Sequence, residues 1–82
     1  MQIELKLFSS LMEYLPANAE GNTLELNLSG TTSCHALIDR YKIPRDIVQV
    51  VMVNGEFVPP EQRETPLTSG DTVSIWPAIQ GG

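Results

Sequence analysis

The sequence has one cysteine, Cys34, and one histidine, His35. A single cysteine excludes an internal disulfide framework. One cysteine and one histidine cannot build a structural zinc site, so no metal site is expected. Basic residues are scarce as well. Five Lys and Arg stand against ten Asp and Glu, a net charge of −5. Nucleic-acid binding needs clustered Lys and Arg on phosphates, and anionic membrane surfaces need the same. Neither is expected as a partner. No apolar run approaches the ~20 residues of a membrane-spanning helix. Met1-Gln2-Ile3-Glu4-Leu5-Lys6 alternates in character, unlike a signal peptide. A cytoplasmic protein is expected. The six glycines make neither a P-loop nor a dinucleotide fingerprint.

What is present is one small domain. Its 82 residues are 41% apolar. A chain this short buries only roughly 60–65% of its unfolded surface, so it has one modest core and no deep catalytic cavity.

Ile3-Glu4-Leu5-Lys6-Leu7-Phe8 alternates with period two and reads as a half-buried strand. Ser9-Ser10 offers caps for a short helical turn over 11–15, stopped by Pro16. Residues 17–22 read as a loop, and 23–28 alternate again. After Thr31-Thr32-Ser33, the residues Cys34, Leu37, Ile38 and Tyr41 fall at i, i+3, i+4 and i+7. That is one face of an amphipathic helix. Arg40 and Lys42 are read into its last turn. Val48 to Val53 reads as a buried strand. Asn54-Gly55 then predicts a type I′ hairpin turn, since both residues tolerate positive φ. Glu56-Phe57-Val58 resumes the strand until Pro59-Pro60, and Thr72 to Trp76 forms the last strand before Pro77. The order is strand, strand, helix, strand, short strand, strand. It predicts an α+β fold, with a mixed sheet of four to five strands covered on one face by one main helix. The domain spans 1–77, with a mobile tail over 78–82.

Chemistry-bearing residues are few. Cys34 and His35 are neighbours, but i and i+1 on a helix do not face each other. Cys34 lies on the apolar stripe and reads as a buried structural thiol, which leaves His35 as a solvated helix residue. Glu61, Glu64 and Asp71 have no partner at a meaningful spacing. They read as solvated acidic surface, with a capacity to steer a basic partner.

The remaining candidate is Gly81-Gly82. Two glycines without side chains can thread a narrow channel and carry a carboxylate into another protein's active site. With Ile3, Leu5, Leu7, Val73 and Ile75 facing the helix, Phe8 and Trp76 point to the opposite, open face. Together with Pro77 they are candidate docking anchors.

Val53-Asn54-Gly55-Glu56, Pro66-Leu67, Gly70-Asp71-Thr72-Val73 and Pro77…Gly81-Gly82, taken with the strand order, resemble the ubiquitin-like β-grasp sulfur carriers. This group includes the small subunit of molybdopterin synthase (MoaD type) and the thiamine-thiazole sulfur carrier (ThiS type). The resemblance runs over the whole chain and is most specific from Val51 to Gly82. It implies that an E1-like adenylyltransferase uses ATP and Mg2+ to adenylate Gly82. A persulfide donor then converts the acyl-adenylate to a thiocarboxylate. Gly81 would permit threading, and Ile79 and Gln80 would line the inserted tail. The chain itself would bind no cofactor and would have no catalytic side chains. The large subunit of a sulfur-accepting synthase would be a further partner. Length and the proline-containing tail resemble the molybdopterin group, while Asn54 to Pro59 looks equally like the thiazole carriers. A protein modifier forming isopeptide bonds and a plain interaction module are the other readings.

Overall fold

The computed structural model describes residues 1–78. Strand β1 (Gln2–Leu7) buries Ile3, Leu5 and Leu7 and turns the intervening side chains outward. Strand β2 (Thr23–Asn27) runs antiparallel to it, with Ile3 opposite Leu26 and Leu5 opposite Leu24. Period-two burial on both strands fixes this register, because a one-residue slip would turn every leucine to water.

The segment after β1 differs from its expected form. It is a 3-10 turn over Ser9–Tyr14, and no serine caps it. Phe8 occupies the cap position in extended conformation. Its N–H is still bonded to the Ile75 carbonyl at 3.1 Å. Ser9 makes the corner at φ 55° and so cannot act as a cap.

Helix α1 (Cys34–Arg40) starts as the sequence predicts. Ser33 is the N-cap and its hydroxyl accepts from the Ala36 N–H at 3.1 Å. Cys34, Leu37 and Ile38 are buried, and Tyr41 is half-buried at the C-cap. Lys42 lies past the helix rather than in its last turn. It takes φ 61°, with its N–H on the Asp39 carbonyl and the Ile43 N–H on the Ile38 carbonyl, both at 3.0 Å. This pair of bonds satisfies orphan carbonyls at the helix end, and Pro44 follows where the helix cannot continue.

Strands β3 (Val48–Val53) and β4 (Glu56–Phe57) are joined by Asn54 (φ 53°) and Gly55 (φ 84°). The expected mirror-image turn is therefore present. β3 is less buried than its composition implies. Only Val51 is fully buried, since the strand lies on a sheet with one covered face. Strand β5 (Thr72–Pro77) includes Pro77, one residue beyond the expected stop.

The sheet order is β2-β1-β5-β3-β4. β5 is central, parallel to β1 and antiparallel to β3. α1 covers one face. Its Cys34, Leu37 and Ile38 join Ile3, Leu5, Leu7, Leu24, Val51, Val73 and Ile75 in a single core.

Candidate functional site

The candidate site has two parts, the open face of the sheet and the end of β5. Phe8 follows β1 and Trp76 lies on β5, one step beyond the Leu7–Ile75 pair. The register therefore puts both rings on the open face. They stack, with centroids 4.4 Å apart and 8° between planes. Each ring shields the other, so both are half-buried rather than fully exposed. Val58, which follows β4, packs against the core and its N–H bonds the Val51 carbonyl at 2.8 Å.

The face carries more apolar surface than sequence reasoning found. Val50 is opposite Trp76, Met52 is opposite Ser74, and Phe57 is opposite Met52. Cross-strand partners share a face, so Val50, Met52 and Phe57 extend the Phe8–Trp76 pair toward β4. Phe57 is 55% exposed. The Asn-Gly turn held the signal, because a two-residue hairpin sets Met52 against Phe57. The other end of the face is acidic. Glu4 is directly opposite Glu25, and Glu4 accepts from the Thr72 hydroxyl at 3.3 Å. Lys6 lies 3.9 Å from Glu4.

At the end of β5, Pro77 pairs with Val48 while Trp76 pairs with Val50. β3 therefore has one extra residue, Gln49, a β-bulge. Proline is tolerated in a central strand only at such an interruption, since it has no N–H for the ladder. The bulge is held from within the protein. Arg63 is only 4% exposed, donating from Nε to the Val58 carbonyl at 3.1 Å and from Nη2 to the Gln49 carbonyl at 3.4 Å. Nothing in the sequence singles out Arg63, because its partners are backbone atoms. Ala78 continues beyond Pro77, with its N–H on the Ile47 carbonyl at 3.1 Å. Ile79, Gln80, Gly81 and Gly82 lie outside the described residues.

Three side chains set aside as solvated are in fact engaged. His35 Nδ1 is 2.7 Å from Glu64 Oε1, and its side chain is only 15% exposed. Asp71 accepts from Asn54 Nδ2 at 2.9 Å and from the Thr68 N–H at 2.8 Å. Glu64 lies 29 residues from His35 and Asn54 lies 17 from Asp71, beyond any local spacing, whereas Thr68 is only 3 residues from Asp71. Cys34 is buried as expected, and burial pushes its thiol pKa up although Arg63 pulls the other way. Among the described residues, no three His, Cys, Asp or Glu side chains gather as a metal site requires, and no helix is long and apolar enough to cross a membrane.

The model of the ThiS family matches residues 5–82, which includes both terminal glycines. The chain belongs to the ThiS family. Solved structures agree on the fold of this ThiS-family protein. SAMP1 from Haloferax volcanii is similar at 22% identity and a TM-score of 0.66, covering 100% of both chains. A second structure of that organism's small archaeal modifier protein 1 gives 21% and 0.61, over 95% and 98% of the two chains. A chain from the complex of subunits 1 and 2 of molybdopterin-converting factor from Helicobacter pylori gives 17% and 0.60, over 100% of both. No curated protein matches the chain. The family and these neighbours make the fold a ubiquitin-like β-grasp of the ThiS/MoaD type.

Proposed function

We propose that this protein is a sulfur carrier. Its Gly82 carboxylate is adenylated by an E1-like enzyme and converted to a thiocarboxylate, which donates sulfur in molybdopterin synthesis. The observation that carries this reading is the family match running through Gly81-Gly82. A free carboxylate is a poor acyl donor. Transfer of AMP from ATP, with release of pyrophosphate, makes its oxygen a leaving group. The terminal sulfur of a persulfide then displaces AMP to give an acyl disulfide. A second thiol on the partner cleaves its S–S bond, releasing the thiocarboxylate and leaving a disulfide behind. ATP, Mg2+ and the sulfur donor belong to the partners, in a cytoplasmic setting. Phe8, Trp76 and Pro77 form the docking surface for the activating enzyme and for the larger synthase subunit. Ile79 to Gly82 form the inserted tail.

The length and the proline-containing tail favour the molybdopterin pathway in this reading, with the thiazole pathway as the alternative. A second reading has its own support. Small archaeal modifier protein 1 is named for modification, and the same activated carboxylate can acylate a lysine.

One experiment tests the proposal. The protein is incubated with an E1-like enzyme, ATP and a sulfur donor, and its intact mass is measured. Exchange of one carboxyl oxygen for sulfur is expected. Appending one residue after Gly82 should abolish the exchange and leave folding intact. Activity surviving that extension, with the added residue still attached, would overturn the tail assignment. Conjugates that depend on Gly82 but contain no sulfur would favour modification.

A further inference from the structure

The sheet has two edges, and they differ in what they offer a partner. β4 is two residues long and is closed by Pro59-Pro60. β2 runs over five residues, Thr23–Asn27, with no proline and an unbroken register. Short edges and prolines block the addition of a further strand, whereas a longer regular edge admits one.

The register shows which backbone groups of β2 are free. The Leu28 N–H bonds the Met1 carbonyl at 2.8 Å, and the Leu7 N–H bonds the Asn22 carbonyl at 3.0 Å. Hydrogen-bonded pairs alternate along an antiparallel ladder. Leu24 and Leu26 therefore turn their N–H and C=O groups to β1, while Thr23, Glu25 and Asn27 turn theirs outward. Thr23 is satisfied within the chain, through bonds of 3.0 and 2.8 Å exchanged with Glu20. Among the described residues, nothing bonds the outward N–H and C=O of Glu25 or Asn27. Glu25 also lines a groove of about 420 Å³ with Asn18, Glu20, Thr23 and Leu24.

The side chains along this edge say what fits it. Glu25 is exposed on the open face, directly opposite Glu4, and Glu20 stands in the same groove. Like charges directly opposite each other across strands repel. On the covered side, Leu24 is buried and Leu26 only half-buried. A strand laid antiparallel on β2 would meet Glu25 with one residue and Leu24 and Leu26 with its neighbours. Charge complementarity asks for a cation in the first place and apolar residues in the other two. A second copy does not supply this, since it carries a net charge of −5 and brings its own Glu25.

We infer that the β2 edge is a strand-addition site for an extended segment of a partner protein, one in which basic and β-branched apolar residues alternate. The backbone of Glu25 and Asn27 supplies the ladder bonds, and Glu25 selects the cation. β2 and β4 are opposite edges and β5 is central. A strand held at β2 therefore lies away from Phe57 and from the end of β5. The domain would be tethered there while its other surfaces stay free.

The inference stands apart from the carrier reading, because neither Gly82 nor an activating enzyme enters its test. Isotope-labelled full-length protein is titrated with a short blocked peptide of alternating valine and arginine. Amide shifts and slowed hydrogen exchange are expected at Glu25 and Asn27. Methylating the backbone nitrogens of the arginines, which face Glu25 and Asn27, should abolish the effect, whereas methylating those of the valines should spare it. Glu25→Lys should weaken the arginine peptide by about tenfold or more and admit a valine–glutamate peptide instead. Circular dichroism of the variant would exclude loss of fold as the cause. Shifts centred on Phe8 and Trp76, equal binding of the arginine-methylated peptide, equal binding of the valine–glutamate peptide to the unsubstituted protein, or no shift at millimolar peptide would each overturn the inference. So would self-association through Glu25 and Asn27 without peptide, which would make a second copy the occupant.

Discussion

The buried guanidinium of Arg63 donates to the carbonyl of Gln49, the residue that β3 has in excess of its partner β5. The same side chain holds Val58 just past β4. One cation therefore braces the bulge that admits Pro77 and the exit of the β3–β4 hairpin. Arg63→Ala would leave two carbonyls without their charged donor. Hydrogen bonds to charged groups are worth about 1.5–3 kcal/mol each. A loss of about 2–3 kcal/mol is expected, since the relaxed site lets water reach part of it. Urea denaturation would measure it. Arg63→Lys should recover only part of the loss, because one ammonium cannot span both carbonyls as the guanidinium fork does.

The Phe8–Trp76 stack gives a second prediction. Trp76 is the single tryptophan, so its emission reports the open face without labelling. Titration with the activating enzyme should change that emission. Trp76→Ala should weaken the complex by about 2 kcal/mol or more, the range for a central aromatic anchor. Phe8→Ala should cost less on its own. In a double-mutant cycle on stability the two should couple by about 0.5–1.5 kcal/mol, as stacked rings do. Unchanged emission on partner binding would remove the docking role.

Asn54 carries a third. Its backbone takes φ 53°, and its side chain accepts from the Thr72 N–H and donates to Asp71, both at 2.9 Å. The hairpin turn is thereby latched to the entry of β5. Asn54→Ala loses both bonds and puts alanine in a left-handed conformation. A cost of about 2 kcal/mol is expected from roughly 1 kcal/mol of conformation plus the net value of the bonds. Asn54→Gly should cost less, because glycine removes the conformational part. Thermal melts of the two variants would separate the contributions.

Cys34 gives the fourth. Its pKa is raised above the ordinary 9.0, first by burial. Iodoacetamide should therefore label it only when the protein is unfolded. The sign of the pH dependence follows. Above the ordinary thiol value the unfolded chain releases this proton while the folded chain retains it. Stability should fall as pH rises from there through the folded-state value. Cys34→Ala should flatten that alkaline decline. Melts across neutral to alkaline pH would show it.

The sequence displays the frame well and the cross-links poorly. Alternation in β1 and β2, the Cys34–Leu37–Ile38 stripe and Asn54-Gly55 are local signals, and each has its expected form. The serines after β1 mislead because capping competes with a bond that Phe8 makes to β5, 67 residues away. Val48 to Val53 reads as buried because composition cannot show which face of a sheet α1 will cover. The His35–Glu64, Asn54–Asp71 and Arg63–Gln49 contacts form only once the strands are ordered. Phe57 was legible in principle. It needs the turn type converted to a register and the register to a face.

The position of β5 has one more consequence. Remove it from the order β2-β1-β5-β3-β4, and two separate hairpins remain, β1–β2 and β3–β4, sharing no ladder bond. An isolated two-stranded hairpin is marginal at best in water. Val73 and Ile75, both on β5, also close the core. Unfolding should therefore be all-or-none, with no half-assembled form in which Trp76 is presented but the core is open. A partner that grips the aromatic face would then select the native state, so in the proposed carrier cycle docking would also verify that the domain is intact before chemistry at its end begins.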